Sequence, residues 1–362
     1  MDKFRIILLF AGGVLLLHRI AHLISNIADS SVEEEVEEGK VHIINRAANA
    51  PLIAIVACVK QIGSHRPAEF IEHSLLASIY ETITHKERET YRVELILGYD
   101  DDDRYWHQDS NHRLSPKTIN GERIYTNQEP IPISYVSIRK DPSGDRPNRI
   151  PFNELTRAAK DYGATYIVRI NDDTQFSSRG WITQATNTLK SFSPPNIGVV
   201  GPVDHVNELI MTHDMVHAPS HYAIFDTYYP SDFDNYYVDD WISKVYGTER
   251  TKRIYDWEVI HHRTTFWSEN SLETGAHEGQ ERYTPSYHQD KLVDQLLTKG
   301  RETLESFLSK KAESEEELML KPHFLQLRQK RLQVLGTNAI ERVDGPMQFA
   351  HLSLKRKGNR IK

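Results

Sequence analysis

The chain has 362 residues, 39% of them hydrophobic and 26% charged, with 44 basic side chains against 51 acidic and a net charge of −7. That length suits one large domain or two small ones, and the balance supplies no basic field to neutralise nucleic-acid phosphates, so no nucleic-acid partner is expected. The single cysteine, Cys58, excludes an intramolecular disulfide and any multi-cysteine zinc site.

The amino terminus opens on Lys3 and Arg5, then runs from Ile6 to Leu17 in apolar residues and glycine. That core is about 12 residues, short of the roughly 20 a spanning helix wants. It reaches the needed length as a signal anchor if Arg19 and the neighbouring histidines snorkel and the span runs to Ile24. A cleaved signal peptide and a buried soluble helix are the alternatives. The first lacks a small-x-small cleavage site, and the second sits badly with the glycine pair and basic start. Positive charge at the start favours a cytoplasmic N-terminus, though Arg19 at the far end weakens that orientation. The expected layout is a membrane anchor over 1–28, then an acidic stalk over 29–50 carrying Glu33, Glu34, Glu35, Glu37 and Glu38. An α/β body comes next over 51–288, and a helical extension with a basic tail over 289–362.

From Pro51 the pattern alternates. Leu52 to Val59 predicts a buried strand, and Glu69 to Thr84 has helical spacing. Further strands are predicted at Tyr91 to Leu97, ending at Gly98, at Ile133 to Ile138, at Thr165 to Ile170 and at Ile197 to Val200. Helices are predicted at Phe152 to Tyr162 and Trp181 to Phe192. Trp241 to Tyr246 opens another helix, and Trp257 to Ile260 is strand-like. Alternation of this kind predicts a mostly parallel, Rossmann-like sheet with helices on both faces. In such sheets ligands bind beyond the carboxyl ends of the strands.

The residues just past each strand therefore matter. Asp100 to Asp103 come after the second, and Asn171-Asp172-Asp173-Thr174 after the fourth. Carboxylates on such turns can hold Mg2+ or Mn2+, with a diphosphate completing the shell. Their other use is to cap turns and face water, and four adjacent acids cannot all serve one ligand.

In these segments the chain resembles the GT-A class of glycosyltransferases, from about Leu52 to Tyr246. Leu52-Ile-Ala-Ile-Val looks like the first strand. Val93 to Asp100 looks like the second, whose terminal acid would contact the nucleobase or ribose. Asn153, Arg157 and Ala158 look like the helix before the metal motif, and Asn171-Asp172-Asp173-Thr174 like the Asp-x-Asp motif itself, with Asn171 in place of an acid. The segment from His213 to Gly247, with its Asp-Asp-Trp-Ile core, looks like a poorly characterised eukaryotic branch of that class. The resemblance implies a GT-A sheet, a Mn2+ or Mg2+ cofactor, a nucleotide-sugar donor (a UDP-sugar by the habit of the class), a glycan or protein acceptor and a Golgi or ER membrane setting with a lumenal body. It implies donor contacts from Asp100, Asn153, Arg157, Asn171 and Asp172, and metal ligands Asp172 and Asp173. A later histidine, His261 or His262, with His262 preferred, would complete the metal set.

Inverting members of the class carry an acid where a late helix begins, and Asp239 and Asp240 fit that place. Asp240 is favoured as general base, with Asp239 as helix cap or acceptor contact. Trp241 could stack on a sugar, though packing in a core is the commoner use. His213, His217 and His221 recur every four residues, but Pro219 breaks a helix that would align them. Arg139, Lys140, Arg146 and Arg149 border a loop that could clamp a diphosphate or simply face solvent. Asp290 to Leu335 is helical in period and could pack beside the catalytic domain or form a homodimer contact. Two rival functions stand beside sugar transfer: a catalytically silent glycan- or protein-binding relative, and a sugar nucleotidyltransferase. The latter would want a glycine-rich loop, where Lys60 to Arg66 carries only Gly63.

Overall fold

A computed structural model describes residues 49–60, 67–108, 114–115, 130–139, 150–204, 210–233, 237–262 and 290–320. The chain divides into two compact units, 1–44 with 125–130 and 45–124 with 131–362. All described residues but Pro130 belong to the second. The expected anchor, all but the last two residues of the stalk, and the tail beyond 320 lie outside the described residues. Among the described residues no helix is long and apolar enough to cross a membrane.

Eight strands form one sheet: β1 (Leu52–Cys58), β2 (Arg92–Asp100), β3 (Ile133–Ile138), β4 (Tyr166–Asn171), β5 (Thr174–Phe176), β6 (Val199–Asp204), β7 (Asp214–His217) and β8 (Thr251–His261). Their order is β3-β2-β1-β4-β7-β6-β8-β5. β3, β2, β1 and β4 are mutually parallel, β7 runs against β4 and β6, β8 is parallel to β6, and β5 runs against β8. Every residue of β1 is buried. An unbroken Leu-Ile-Ala-Ile-Val run is what a central parallel strand covered on both faces requires.

The helices are α1 (Pro67–Phe70), which continues through a wider turn at Ile71–Leu76 into α2 (Ala77–Thr82), then α3 (His85–Thr90), α4 (Phe152–Asp161), α5 (Trp181–Ser191), α6 (Ala218–Phe225), α7 (Val238–Val245) and α8 (Asp290–Leu320). A capping box starts α3. The Thr84 and Glu87 side chains each accept the other's backbone N–H, satisfying donors the first turn leaves open.

Three features depart from the sequence expectation. β2 runs through Gly98 to Asp100, because a glycine there lets α4 lie on the strand: a Cβ would stand 2.8 Å from Leu155 Cδ1. β6 likewise continues to Asp204. β5 and β7, of three and four residues, are too short to show a period in the sequence.

β8 carries a bulge. Its ladder to β6 jumps from the pair Pro202–Ile254 to the pair Val203–Glu258, so Tyr255, Asp256 and Trp257 fall outside the register. Trp257 turns inward and stacks on Trp181 at 5.1 Å, which in turn stacks on Phe176 at 4.8 Å. Tyr255 is exposed.

One continuous core joins Leu52, Ala54 and Val56 of β1 to α4, α6, α7 and α8. Trp241 belongs to it. Its ring is 2% exposed, and its indole N–H donates to the Leu296 carbonyl of α8. Gly300 brings α8 close, since a Cβ there would lie 2.7 Å from Val245 Cγ2 and 3.2 Å from the Trp241 ring. Trp241 thus packs and does not face a sugar.

Candidate functional site

The acids after β2 divide their work. Asp100, the last residue of the strand, is buried, while Asp101 and Asp102 are exposed. Asp103 caps the turn, its Oδ1 accepting the backbone N–H groups of Tyr105 at 3.0 Å and Trp106 at 3.1 Å.

The turn from β4 to β5 holds Asn171, Asp172 and Asp173, all half-buried. The His262 backbone N–H donates to the Asp173 carbonyl at 3.0 Å, and Thr174 and His261 face each other across β5 and β8. Directly opposed residues point to the same side of a sheet, and successive residues to opposite sides. His261 therefore reaches the turn. Its Nε2 lies 3.0 Å from Asp173 Oδ1 and 3.2 Å from the Asn171 amide, and its Nδ1 lies 3.7 Å from Asp204 Oδ2. Burial opposes a charge on this ring, but Asp173 and Asp204 outweigh it and lift the imidazole to about 9.

The preferred histidine of the sequence reading, His262, points elsewhere. Its Nε2 lies 2.8 Å from Gln175 Oε1, and its ring meets Phe70 edge-on at 5.3 Å. The reason is strand alternation: the neighbour of a residue facing Asp173 must face away.

Behind His261 runs a buried hydrogen-bond chain that the sequence did not suggest. Thr212 donates its hydroxyl to Asp204. A hydroxyl has one proton to give, so His213 Nδ1 must donate to Thr212 Oγ1, at 2.9 Å. Nε2 of the fully buried His213 is hydrogen-bonded to Thr174 Oγ1, at 2.7 Å.

The three spaced histidines share no helix face. His213 precedes β7, and His217 ends it, its Nδ1 accepting the Ser220 backbone N–H at the start of α6. Pro219 sits in the first turn of α6, where its missing N–H is harmless. His221 is buried beneath Tyr228 and Tyr246.

Farther back along the same side of β4 lies a buried ionic cluster. Arg169 is 1% exposed and sits between Ile167 of the core and Asn171 of the turn, at alternate positions on one side of the strand. Its guanidinium donates to Asp214 at 3.0 Å, Tyr229 Oη at 2.6 Å, the Thr212 carbonyl at 2.7 Å and Asp239 Oδ1 at 2.5 Å. Asp214, fully buried, also accepts from Tyr228 Oη at 2.5 Å and Tyr229 Oη at 2.7 Å. Burial would strip the guanidinium of its charge, but these partners hold it on. A charged residue within Tyr-Ile-Val-Arg-Ile was the available signal, because a buried guanidinium demands a carboxylate from elsewhere in the chain.

Asp239 and Asp240 occupy the first turn of α7 as expected. Tyr237, in the left-handed region at φ 71°, turns the chain into that helix. The two carboxylates differ. Asp239 keeps 30% side-chain exposure while bound to Arg169, and Asp240 pairs with Lys244 one turn on, at 2.8 Å, with 28% and 47% exposure. Packing raises the Asp239 carboxyl above its ordinary value, and Arg169 draws it down only in part.

Asn153 and Arg157 of α4 serve as a clasp for the segment after α6. Asn153 Nδ2 donates to the Tyr229 carbonyl at 2.9 Å, and its Oδ1 accepts the Tyr229 N–H at 2.8 Å. Arg157 donates to the Asp226 carbonyl and lies over the Tyr222 ring. Of the loop cations, Arg139 is exposed at the end of β3, and Lys140, Arg146 and Arg149 lie outside the described residues.

The donor types near the β4 turn fit a divalent cation. Carboxylates of Asp173 and Asp204 and the imidazole of His261 are ligands that Mn2+ accepts. Asp173 Oδ1 and His261 Nδ1 are buried without a well-directed hydrogen bond. The 3.0 Å between Asp173 Oδ1 and His261 Nε2 is close to the spacing of adjacent ligands around an octahedral ion bound at roughly 2.0–2.1 Å. Among the described residues no three His, Cys, Asp or Glu side chains already enclose a metal-sized centre. The fit is to a partial shell that a phosphate-bearing ligand would complete.

No family model matches this sequence, and no curated protein matches it. Among solved structures, a mannosyltransferase from Pyrobaculum calidifontis, PcManGT, in complex with GDP-Man and Mn2+, is similar at 11% identity and a TM-score of 0.41, over 84% of this chain and 91% of that one. A likeness this loose says nothing about chemistry.

Proposed function

We propose that this protein is a metal-dependent glycosyltransferase of GT-A type, moving a sugar from a nucleotide-sugar, a UDP-sugar in the first instance, to an acceptor hydroxyl with inversion. The reading is carried by one observation. Acids, an amide and a histidine from separate stretches of sequence converge where β4 ends: Asn171 from its last residue, Asp173 from its turn, Asp204 from β6 and His261 from β8, while Asp239 of α7 binds Arg169 two residues back on β4. The sheet order supports it, since ligands of open α/β sheets gather at the strand ends.

In this reading Asp173 and His261 Nε2 would hold Mn2+ or Mg2+, with Asp172 beside them on the turn and Asp204 behind the ring, facing His261 Nδ1 and orienting it. The cation supplies charge stabilisation for the departing nucleoside diphosphate. Asp100 and Asn171 contact the donor's nucleoside side and phosphates, and the clasp made by Asn153 and Arg157 fixes the wall beside it. A carboxylate at the start of α7 accepts the acceptor's proton as its oxygen bonds the anomeric carbon. The glycosyl–phosphate bond breaks, and its electron pair leaves with the nucleotide. A membrane anchor over 1–28, a Golgi or ER setting, a glycan or protein acceptor and a homodimer contact through the carboxyl-terminal extension complete the proposal.

The test is titration of the full chain with a panel of nucleotide-sugars, with and without Mn2+, by thermal shift and donor hydrolysis. Expected is stabilisation by one donor that needs Mn2+ and disappears in Asp173→Ala. A chain indifferent to every donor, and indistinguishable from Asp173→Ala, overturns the reading in favour of a silent binding module.

A further inference from the structure

Two carboxylates stand side by side at the start of α7, and sequence alone favoured Asp240 as the base. We infer instead that Asp239 is the proton-accepting carboxylate and that the buried Arg169 is its positioning residue. The inference rests on the transferase reading and deepens it.

Buried charge does not balance around this pair. Arg169 carries one positive charge and meets two carboxylates, Asp214 at 2.9 Å and Asp239 at 2.5 Å. Asp214 is fully buried and already balances the guanidinium. The phenols of Tyr228 and Tyr229 stay neutral, held well above their ordinary values first by burial. Asp240, the remaining acid beside Asp239, is balanced by Lys244 at 2.8 Å. Arg169, Asp214 and Asp239 together therefore carry one negative charge too many. Of the three, Asp239 is the member open to solvent. A proton arriving on Asp239 removes the excess, whereas a proton on Asp240 would break a balanced surface pair.

Geometry agrees with the count. Arg169 binds Oδ1 of Asp239 and is itself fixed by three further partners that sit away from solvent, Asp214, Tyr229 and the Thr212 carbonyl. A base held in this way needs little reorganisation when the acceptor arrives. Arg169 also stands two residues before Asn171, roughly 6.6 Å along the same side of β4. The acceptor side and the donor side are thus built on one strand.

The experiment compares Asp239→Asn, Asp240→Asn and Arg169→Lys in the full chain, measuring kcat, donor KM, donor affinity and the pH profile of kcat. Expected is a loss of kcat by about 10²–10⁴ in Asp239→Asn with donor affinity within about threefold, and a loss under about tenfold in Asp240→Asn. Arg169→Lys keeps a cation but cannot bridge both carboxylates, so kcat falls and the acid limb of the profile moves to higher pH. If Asp239→Asn does not fold, Asp239→Glu retains the charge, displaces the carboxyl and loses at least about tenfold in kcat. A deeper loss in Asp240→Asn than in Asp239→Asn, or an unmoved acid limb in Arg169→Lys, overturns this inference while leaving the transferase reading intact. A wild-type chain that binds and transfers no nucleotide-sugar overturns both.

Discussion

Lowering the pH loads a proton onto His221 far more readily in the unfolded chain than in the folded one. The ring is 1% exposed. Its Nε2 must donate to the Tyr228 carbonyl, at 2.9 Å, so its Nδ1 accepts from Tyr246 Oη, at 2.8 Å. Burial depresses the imidazole from 6.5 to about 4, and the Tyr228 carbonyl and the charge of Asp214 offset only part of this. Between those values the unfolded chain binds more protons, so stability present above pH 6.5 is lost as pH falls. The loss from this group is about 2 kcal/mol at pH 5 and about 3 kcal/mol at pH 4, by linkage. Urea denaturation at several pH values between 7 and 4, on wild type and His221→Gln, isolates it. The variant starts less stable at pH 7 by about 1–3 kcal/mol, because it disturbs two buried hydrogen bonds. The gap should then narrow toward pH 4. Parallel stability curves for the two proteins would refute the reasoning.

His261→Ala should abolish Mn2+-dependent stabilisation by donor while His262→Ala retains it, read by thermal shift. Gly300→Ala should lower stability by about 1–3 kcal/mol in chemical denaturation, because its Cβ would press on Val245 and Trp241 of α7. Asn153→Ala should cost about 1–3 kcal/mol by the same assay, since it leaves the Tyr229 N–H and carbonyl without their clasp. Breaking the exposed Asp240–Lys244 pair with Lys244→Ala should change stability by less than about 1 kcal/mol.

Much of the sheet was legible because its central strands bury both faces and so print their hydrophobicity directly in the sequence. Leu52 to Cys58 is the clearest of these. The short β5 and β7 were not legible, because Asp214-Met-Val-His carries no more strand signal than a loop does. In the site, the turn acids Asp172 and Asp173 stood out by their place directly after an apolar strand. Asp204 did not, since the strand it ends was expected to stop at Val200. His213 also escaped, because its role depends on Thr174 and Thr212 meeting it from two segments. Local spacing does not encode a contact between residues 39 positions apart. Choosing between His261 and His262 needed the register of β8, which only its pairing with β5 and β6 supplies.

The bulge in β8 takes three residues out of the ladder, an odd number, before the strand resumes at Glu258. The residues beyond the bulge keep their pairing with β6 and β5, and it is that ladder which turns His261 and not His262 toward Asp173. The bulge is thus a length buffer: a deletion within 255–257 can be absorbed there with the histidines facing as before. A one-residue slip of the segment 258–261 against β5 and β6 would instead offer His262 to the turn and send His261 to the Gln175 side.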